Sequence, residues 1–154
     1  MDENPTIVFT KPGEVVLENR ERPSPGRGEM LIRTRCSLIS TGTELTVLSG
    51  EFPPDSVWAQ YGKFPFVPGY DNIGEVVDVG PDVDRSWVGR RIATYGRHTM
   101  YVKATPQSVR LIHRDISDEQ AVFFTIAEIV MNGVRRSKVQ WGETVIGTPS
   151  CSST

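Results

Sequence analysis

Cysteine is nearly absent from this chain of 154 residues, and the two present, Cys36 and Cys151, lie far apart with no CxxC spacing. Neither a disulfide framework nor a zinc ribbon is suggested. An excess of charge of one sign is missing too. With 17 basic against 19 acidic residues the formal net charge is −2, which leaves no electrostatic footprint for nucleic acid or an anionic membrane. No apolar run approaches the roughly 20 residues that span a bilayer. The N-terminal Met-Asp-Glu-Asn-Pro is acidic where a secretory signal is basic. Histidine is limited to His98 and His113, isolated from each other, and the expectation is surface or core placement rather than metal ligation. What these absences leave is a soluble, cytoplasmic protein of one ordinary domain, with neither nucleic acid nor membrane as partner. A chain of this length buries roughly two-thirds of its unfolded surface.

What is there, over the first two-thirds of the chain, is a series of short strands cut by Gly and Pro. Thr6 to Phe9 and Glu14 to Glu18 straddle the turn Lys11-Pro12-Gly13. From Met30 to Leu38 the pattern alternates, with Ile32, Thr34, Cys36 and Leu38 on one face and Leu31, Arg33, Arg35 and Ser37 on the other. Cys36 is there a small core residue. Further strands are predicted at Ile73 to Val79, Arg90 to Thr94, Thr99 to Lys103 and Ser108 to Leu111. Such spacing favours a mainly β barrel or sandwich over a layered α/β fold.

Helical signals are fewer. Thr43 to Leu48 reads as a short helix ended by Gly50. Ser117-Asp118-Glu119-Gln120 has the form of a capping box. The run that follows, to Met131, is apolar nearly all round, which predicts a helix buried between other elements.

The most specific stretch runs from Gly69 to Gly80: Gly-Tyr-Asp-Asn-Ile-Gly-Glu-Val-Val-Asp-Val-Gly. Its glycine spacing resembles that of the medium-chain dehydrogenase/reductase family, the zinc-type alcohol dehydrogenases, and Gly74 and Gly80 are expected to bracket a strand. The segment Ile39-Ser40-Thr41-Gly42-Thr43-Glu44-Leu45 is similar to a second motif of that family, and Trp141-Gly142-Glu143-Thr144-Val145 to the entry of its nucleotide-binding domain. The resemblance extends over residues 5–147. It implies a GroES-like β-barrel with a C-terminal helix and the start of a Rossmann strand, divided into residues 1–141 and a short beginning of a nucleotide-binding domain at 142–154.

By that resemblance the family's zinc-binding positions fall on Thr41, Tyr70 and Phe124, with Asp71 beside Tyr70. A neutral hydroxyl and a phenyl ring are poor zinc ligands. What remains is a hydroxyl-rich cleft in which Thr43 matches the family's proton-relaying hydroxyl and Tyr70 offers a phenol to a small-molecule substrate. The other reading is that Thr43 caps the short helix and Tyr70 fills the former metal space. Glu44 and Asp71 are cleft residues on one reading and partners of Arg33, Arg90 or Arg91 on the other.

The resemblance implies NAD or NADP for a full-length member. After Gly142-Glu143-Thr144-Val145, however, the chain runs into Ile146-Gly147-Thr148-Pro149-Ser150-Cys151-Ser152-Ser153-Thr154 with no glycine-rich phosphate turn. The expectation is therefore the substrate-side part of a zinc-independent NAD(P)-dependent oxidoreductase, inactive alone and with no cofactor of its own. The alternative is a non-catalytic GroES-like binding or assembly module. Self-association, or docking of a partner chain, is expected through residues 117–147.

With Thr41, Tyr70 and Phe124 in the ligand positions, purified protein is expected to carry no stoichiometric zinc. Elemental analysis finding about one tightly held zinc per chain would overturn this.

Overall fold

Local backbone chemistry sets the hairpin that opens the fold. The computed structural model describes residues 3–140 and 142–146. Strand β1 (Glu3–Lys11) pairs antiparallel with β2 (Glu14–Glu21). The turn between them has Gly13 at φ 74°, the positive value for which glycine was expected there. β1 has its buried positions at Asn4, Thr6, Val8 and Phe9, whereas Val15 and Leu17 of β2 are exposed.

The second sheet runs in the order β6-β3-β4-β5-β7, with β3 at Met30–Ser37, β4 at Asn72–Val79, β5 at Arg91–Thr94, β6 at Tyr101–Ala104 and β7 at Arg110–Leu111. All its pairings are antiparallel. Isolated bridges Thr6↔Thr99 and Phe9↔Phe66 tie the hairpin to the segments around this sheet. The architecture is mainly β, as the turn spacing indicated. Two strands start two residues later than expected. β6 begins at Tyr101 because Met100 is held by the first sheet and by β3: its N–H donates to Pro5 O, and its carbonyl takes the Thr34 N–H. β7 is only two residues long because Pro106–Ser108 forms a 3₁₀ turn with a Thr105–Ser108 capping box.

The expectation that Gly74 bounds a strand is corrected: Gly74 lies inside β4, paired with Thr34 and Ile92. Its role is close approach. A Cβ there would sit 2.5 Å from Ile32 Cγ2 and 2.6 Å from Arg33 O. β3 carries register shifts between Leu31 and Ile32 and between Thr34 and Cys36, so its alternation is interrupted and Met30, Leu31 and Ile32 are all buried.

Three clusters fill the interior. Met30, Ile32, Val76, Ile92, Val102 and Val109 form the main core between the strands of the large sheet. Phe9, Val47 and Phe66 form a second, which seats helix α1 (Thr43–Ser49). Ile73, Ala93 and Val122 form a third, with Cys36 packed against it. Burial pushes the Cys36 thiol up, and the nearby Asp118 and Glu119 charges add to that; Cys36 is half-buried, against the cluster rather than inside it. A short helix α2 (Val57–Tyr61) is capped by Ser56.

The chain divides into two compact units, Met1–Phe124 and Thr125–Thr154. The predicted single helix after Ser117 is two. α3 (Asp118–Ala121) carries the expected capping box between Ser117 and Gln120, and α4 (Phe124–Ser137) follows it. The predicted burial of this region is also corrected. Val122 is buried, but α4 has no buried residue, and Ile129, Val130, Met131 and Val134 are all more than half exposed. An apolar pattern specifies burial only where a covering layer exists. The strand expected at Thr144 to Ile146 does not form; Val145 and Ile146 are exposed, and among the described residues no neighbouring strand offers them a ladder. Trp141 and Gly147 to Thr154, which held the rest of that expectation, lie outside the described residues. No helix among the described residues is long and apolar enough to cross a membrane.

α3 is tied to the sheet by charge. Asp118 bonds Arg35 Nε at 2.6 Å and Arg91 Nη2 at 2.7 Å. Burial alone would raise its pKa, but the two guanidinium groups outweigh that and hold the carboxyl below its usual range. A depressed folded-state pKa contributes stability above the unfolded value, near 3.9, that is lost as pH falls through the folded one. Asp118→Asn is therefore expected to lower the urea midpoint at pH 7, and the gap from the native chain to shrink progressively on acidification below about pH 4. A gap independent of pH would contradict this.

Candidate functional site

Glu44 occupies the second position of α1, three residues before Val47, and shares a buried face with it. A carboxylate so placed must find hydrogen-bond donors or carry a large desolvation penalty. It finds two. Oε2 accepts the Ser40 N–H at 2.7 Å, and Oε1 lies 2.8 Å from His98 Nε2. The side chains of Glu44 and His98 are 3% and 7% exposed, so the pair sits where its electrostatics are little screened. The other imidazole nitrogen, Nδ1, is 2.8 Å from Ser37 Oγ at the end of β3. Glu44 is thus neither an open cleft residue nor a partner of Arg33, Arg90 or Arg91; its partner is His98.

His98 also fixes backbone. Its N–H donates to Pro68 O at 2.9 Å and its carbonyl accepts from Ile7 N at 2.9 Å. The segment it grips is the one that leads into Tyr70 and Asp71. Gly69 adopts φ 108°, and a Cβ on it would meet His98 N at 2.5 Å, so glycine is required twice over. Arg97 adds a guanidinium donation to Gly69 O at 3.2 Å. His98 therefore joins four pieces of chain: the end of β3, the start of α1, the loop before β4, and β1.

The sequence-predicted residues are distributed around this hub. Thr41 is exposed in the turn before α1. Thr43 is half-buried at the first helical position; the N-cap is Gly42 with no side-chain cap bond, so the alternative of Thr43 as the cap does not hold. Tyr70 is half-buried and Asp71 wholly buried, with the Asp71 carbonyl accepting from Leu38 N at 3.0 Å. Phe124 is set apart. It packs with the Ile73, Ala93 and Val122 cluster, and its ring lies 5.3 Å from that of Tyr95. No hydrogen bond or ring contact among the described residues joins Thr41, Thr43, Tyr70 and Phe124 to one another.

Zinc does not fit this donor set. Thr41 and Tyr70 offer neutral hydroxyls, and Phe124 is engaged in an apolar cluster. Among the described residues no group of three or more His, Cys, Asp or Glu side chains could hold a metal ion. Nor do the described residues provide a nicotinamide phosphate cradle, since residues 142–146 form no strand leading into a helix N-terminus. His98 and Ser37 are the functional candidates that sequence reasoning missed. One signal was available: a glutamate in register with core positions Val47 and Leu48 calls for a buried partner.

Comparison with known proteins accords with the fold. A model of the alcohol dehydrogenase GroES-like domain matches residues 26–112. A stretch of 76 residues, 49% of this chain, is 34% identical to 23% of the 2-desacetyl-2-hydroxyethyl bacteriochlorophyllide A dehydrogenase of Cereibacter sphaeroides. Over 93 residues, 58% of the chain, identity is 37% to 25% of the L-threonine 3-dehydrogenase of Sinorhizobium medicae. The fold superposes on the quinone oxidoreductase of Coxiella burnetii with a TM-score of 0.76 at 21% identity, covering 92% of this chain and 47% of that one. The chain thus spans about a quarter of the curated relatives' length and about half of that solved chain.

His98→Ala leaves the buried Glu44 carboxylate without its side-chain partner. The expected cost is on the order of 3 kcal/mol in urea unfolding, with faster hydrogen exchange at the Ser40 amide. A loss below about 1 kcal/mol would show that the pair does not organise the site.

Proposed function

The chain belongs to the alcohol dehydrogenase GroES-like domain family, and from that premise we propose that it is the substrate-side domain of an NAD(P)-dependent medium-chain oxidoreductase working without zinc. The observation that carries this is the Glu44–His98 bond. It holds the turn bearing Thr41 and Thr43 and, through Gly69, the segment bearing Tyr70 and Asp71 on one framework. The substrate class is a secondary alcohol or its ketone. The relatives' names, with a hydroxyethyl group in one and the 3-position of L-threonine in the other, support that choice.

No step runs through a metal or a nicotinamide, since the described residues fit neither. The chain's own part is to bind and orient the substrate oxygen. Thr43 presents a hydroxyl that is not consumed in capping, able both to accept and to donate. Tyr70 presents a phenol that donates to an oxygen developing negative charge. Such hydrogen bonds are worth about 1 kcal/mol each in net terms, so binding of a small alcohol to this domain alone is weak, and hydride transfer needs a cofactor held outside the residues described.

The test is a titration of isotopically labelled chain with 2-butanol and butanone, followed by amide shifts, alongside calorimetry with NADH and NADPH. Shift changes are expected at Thr43, Tyr70 and Asp71, reduced in Tyr70→Phe, with no saturable cofactor binding. Shifts confined to other regions, or micromolar binding of either cofactor to this chain, would overturn the reading.

A further inference from the structure

Ser37, His98 and Glu44 form a hydrogen-bonded chain whose direction is set from one end. Both Glu44 oxygens are taken, Oε2 by the Ser40 N–H and Oε1 by His98 Nε2. An ionised carboxylate only accepts, so Nε2 carries the proton of the neutral ring. In that neutral tautomer Nδ1 keeps its lone pair, and Ser37 Oγ, 2.8 Å away, is placed to donate to it. That tautomer sets the serine hydroxyl against a base held in place by a buried carboxylate. Ser37 and His98 both border an opening of about 310 Å³, lined also by Thr34, Cys36, Thr99 and Met100. Nucleophile against base, base against an orienting acid, and access from solvent are the elements of an activated serine.

We propose that Ser37 is a nucleophile, with His98 as its base and Glu44 as a positioning residue, and that this site takes small activated acyl or phosphonyl electrophiles. It shares the Glu44–His98 pair with the oxidoreductase reading but needs neither a nicotinamide nor the Thr43 and Tyr70 hydroxyls. Ser37 Oγ attacks the carbonyl carbon of an activated ester as its proton passes to His98 Nδ1. The ester C–O bond breaks, and the departing alkoxide or phenoxide takes that proton. Water, deprotonated by the same nitrogen, then cleaves the acyl-serine and restores the hydroxyl. With a fluorophosphonate, an Oγ–P bond forms, the P–F bond breaks, and the proton leaves with fluoride. The activation resides in the nucleophile, so the substrates are esters with good leaving groups rather than amides.

The experiment is incubation of the native chain with a fluorophosphonate probe and with p-nitrophenyl acetate, read by intact mass and peptide mapping. One adduct per chain on Ser37 is expected, absent in Ser37→Ala and formed roughly 10²-fold more slowly in His98→Gln. Glu44→Gln supplies an amide that can donate to Nε2 and reverse the chain, so it too is expected to lose labelling. A native chain that shows no Ser37 adduct overturns the proposal whatever the variants do. So does an adduct that forms at the native rate in folded His98→Gln protein.

Discussion

The arrangement of this domain's site depends on one buried pair, Glu44 with His98. A carboxylate with almost no exposure is tolerated only if its acceptor capacity is filled, and here the two donors come from residues 4 and 54 positions away in sequence. The local bond fixes the turn at Ser40 and so the entry into α1. The distant one fixes where α1 stands relative to the crossing segment at residues 97–100. Apolar packing of Val47 against Phe9 and Phe66 would hold the helix against the hairpin but is non-directional, and would leave its rotation and slide loosely set. The hydrogen bonds supply the direction.

The crossing segment is where the two sheets share backbone. His98, Thr99 and Met100 exchange hydrogen bonds with Pro5, Ile7 and Thr34, while their side chains serve the site on one side and Asn4 and Thr6 on the other. Close approach makes this possible. Gly69 lets the 68–71 loop lie against residue 98, and Gly74 lets β4 lie close beside β3. These are steric requirements that tolerate no side chain, whereas the hydroxyl, carboxylate and imidazole groups occupy places that the fold holds open but does not dictate. Membership in a fold family therefore says little about the chemistry at those places.

That division explains what could be read from the sequence. Strands bounded by Gly and Pro, the turn at Gly13, the Gly50 helix stop and the Ser117–Gln120 capping box are local signals, and each stands in the structure within a few residues of where it was expected. The β3 pattern was legible except at its bulges, which depend on the partner strand. The errors arose where the outcome is non-local. The apolar run after Phe124 reads as buried from its own residues, yet burial is a property of what covers it. His98 reads as an isolated histidine because its partners are 54 and 61 residues away. A glutamate on a core-facing helical position was the one local hint.

On the proposed reading, with Thr41 and Tyr70 at the positions where the resemblance puts metal ligands, the cleft gives a different kind of stabilisation. A metal ion withdraws charge from a substrate oxygen with no proton to account for, and contributes several kcal/mol. Hydroxyl donors contribute less each, and only when water is kept away and their own hydrogen-bond partners hold them in place. A cleft of this composition must therefore depend on preorganisation more than a metal site does. Rigidity at the base of the Thr41–Thr43 turn is then a chemical requirement as well as a structural one, and it is supplied by a carboxylate whose two oxygens clamp the turn to a buried imidazole.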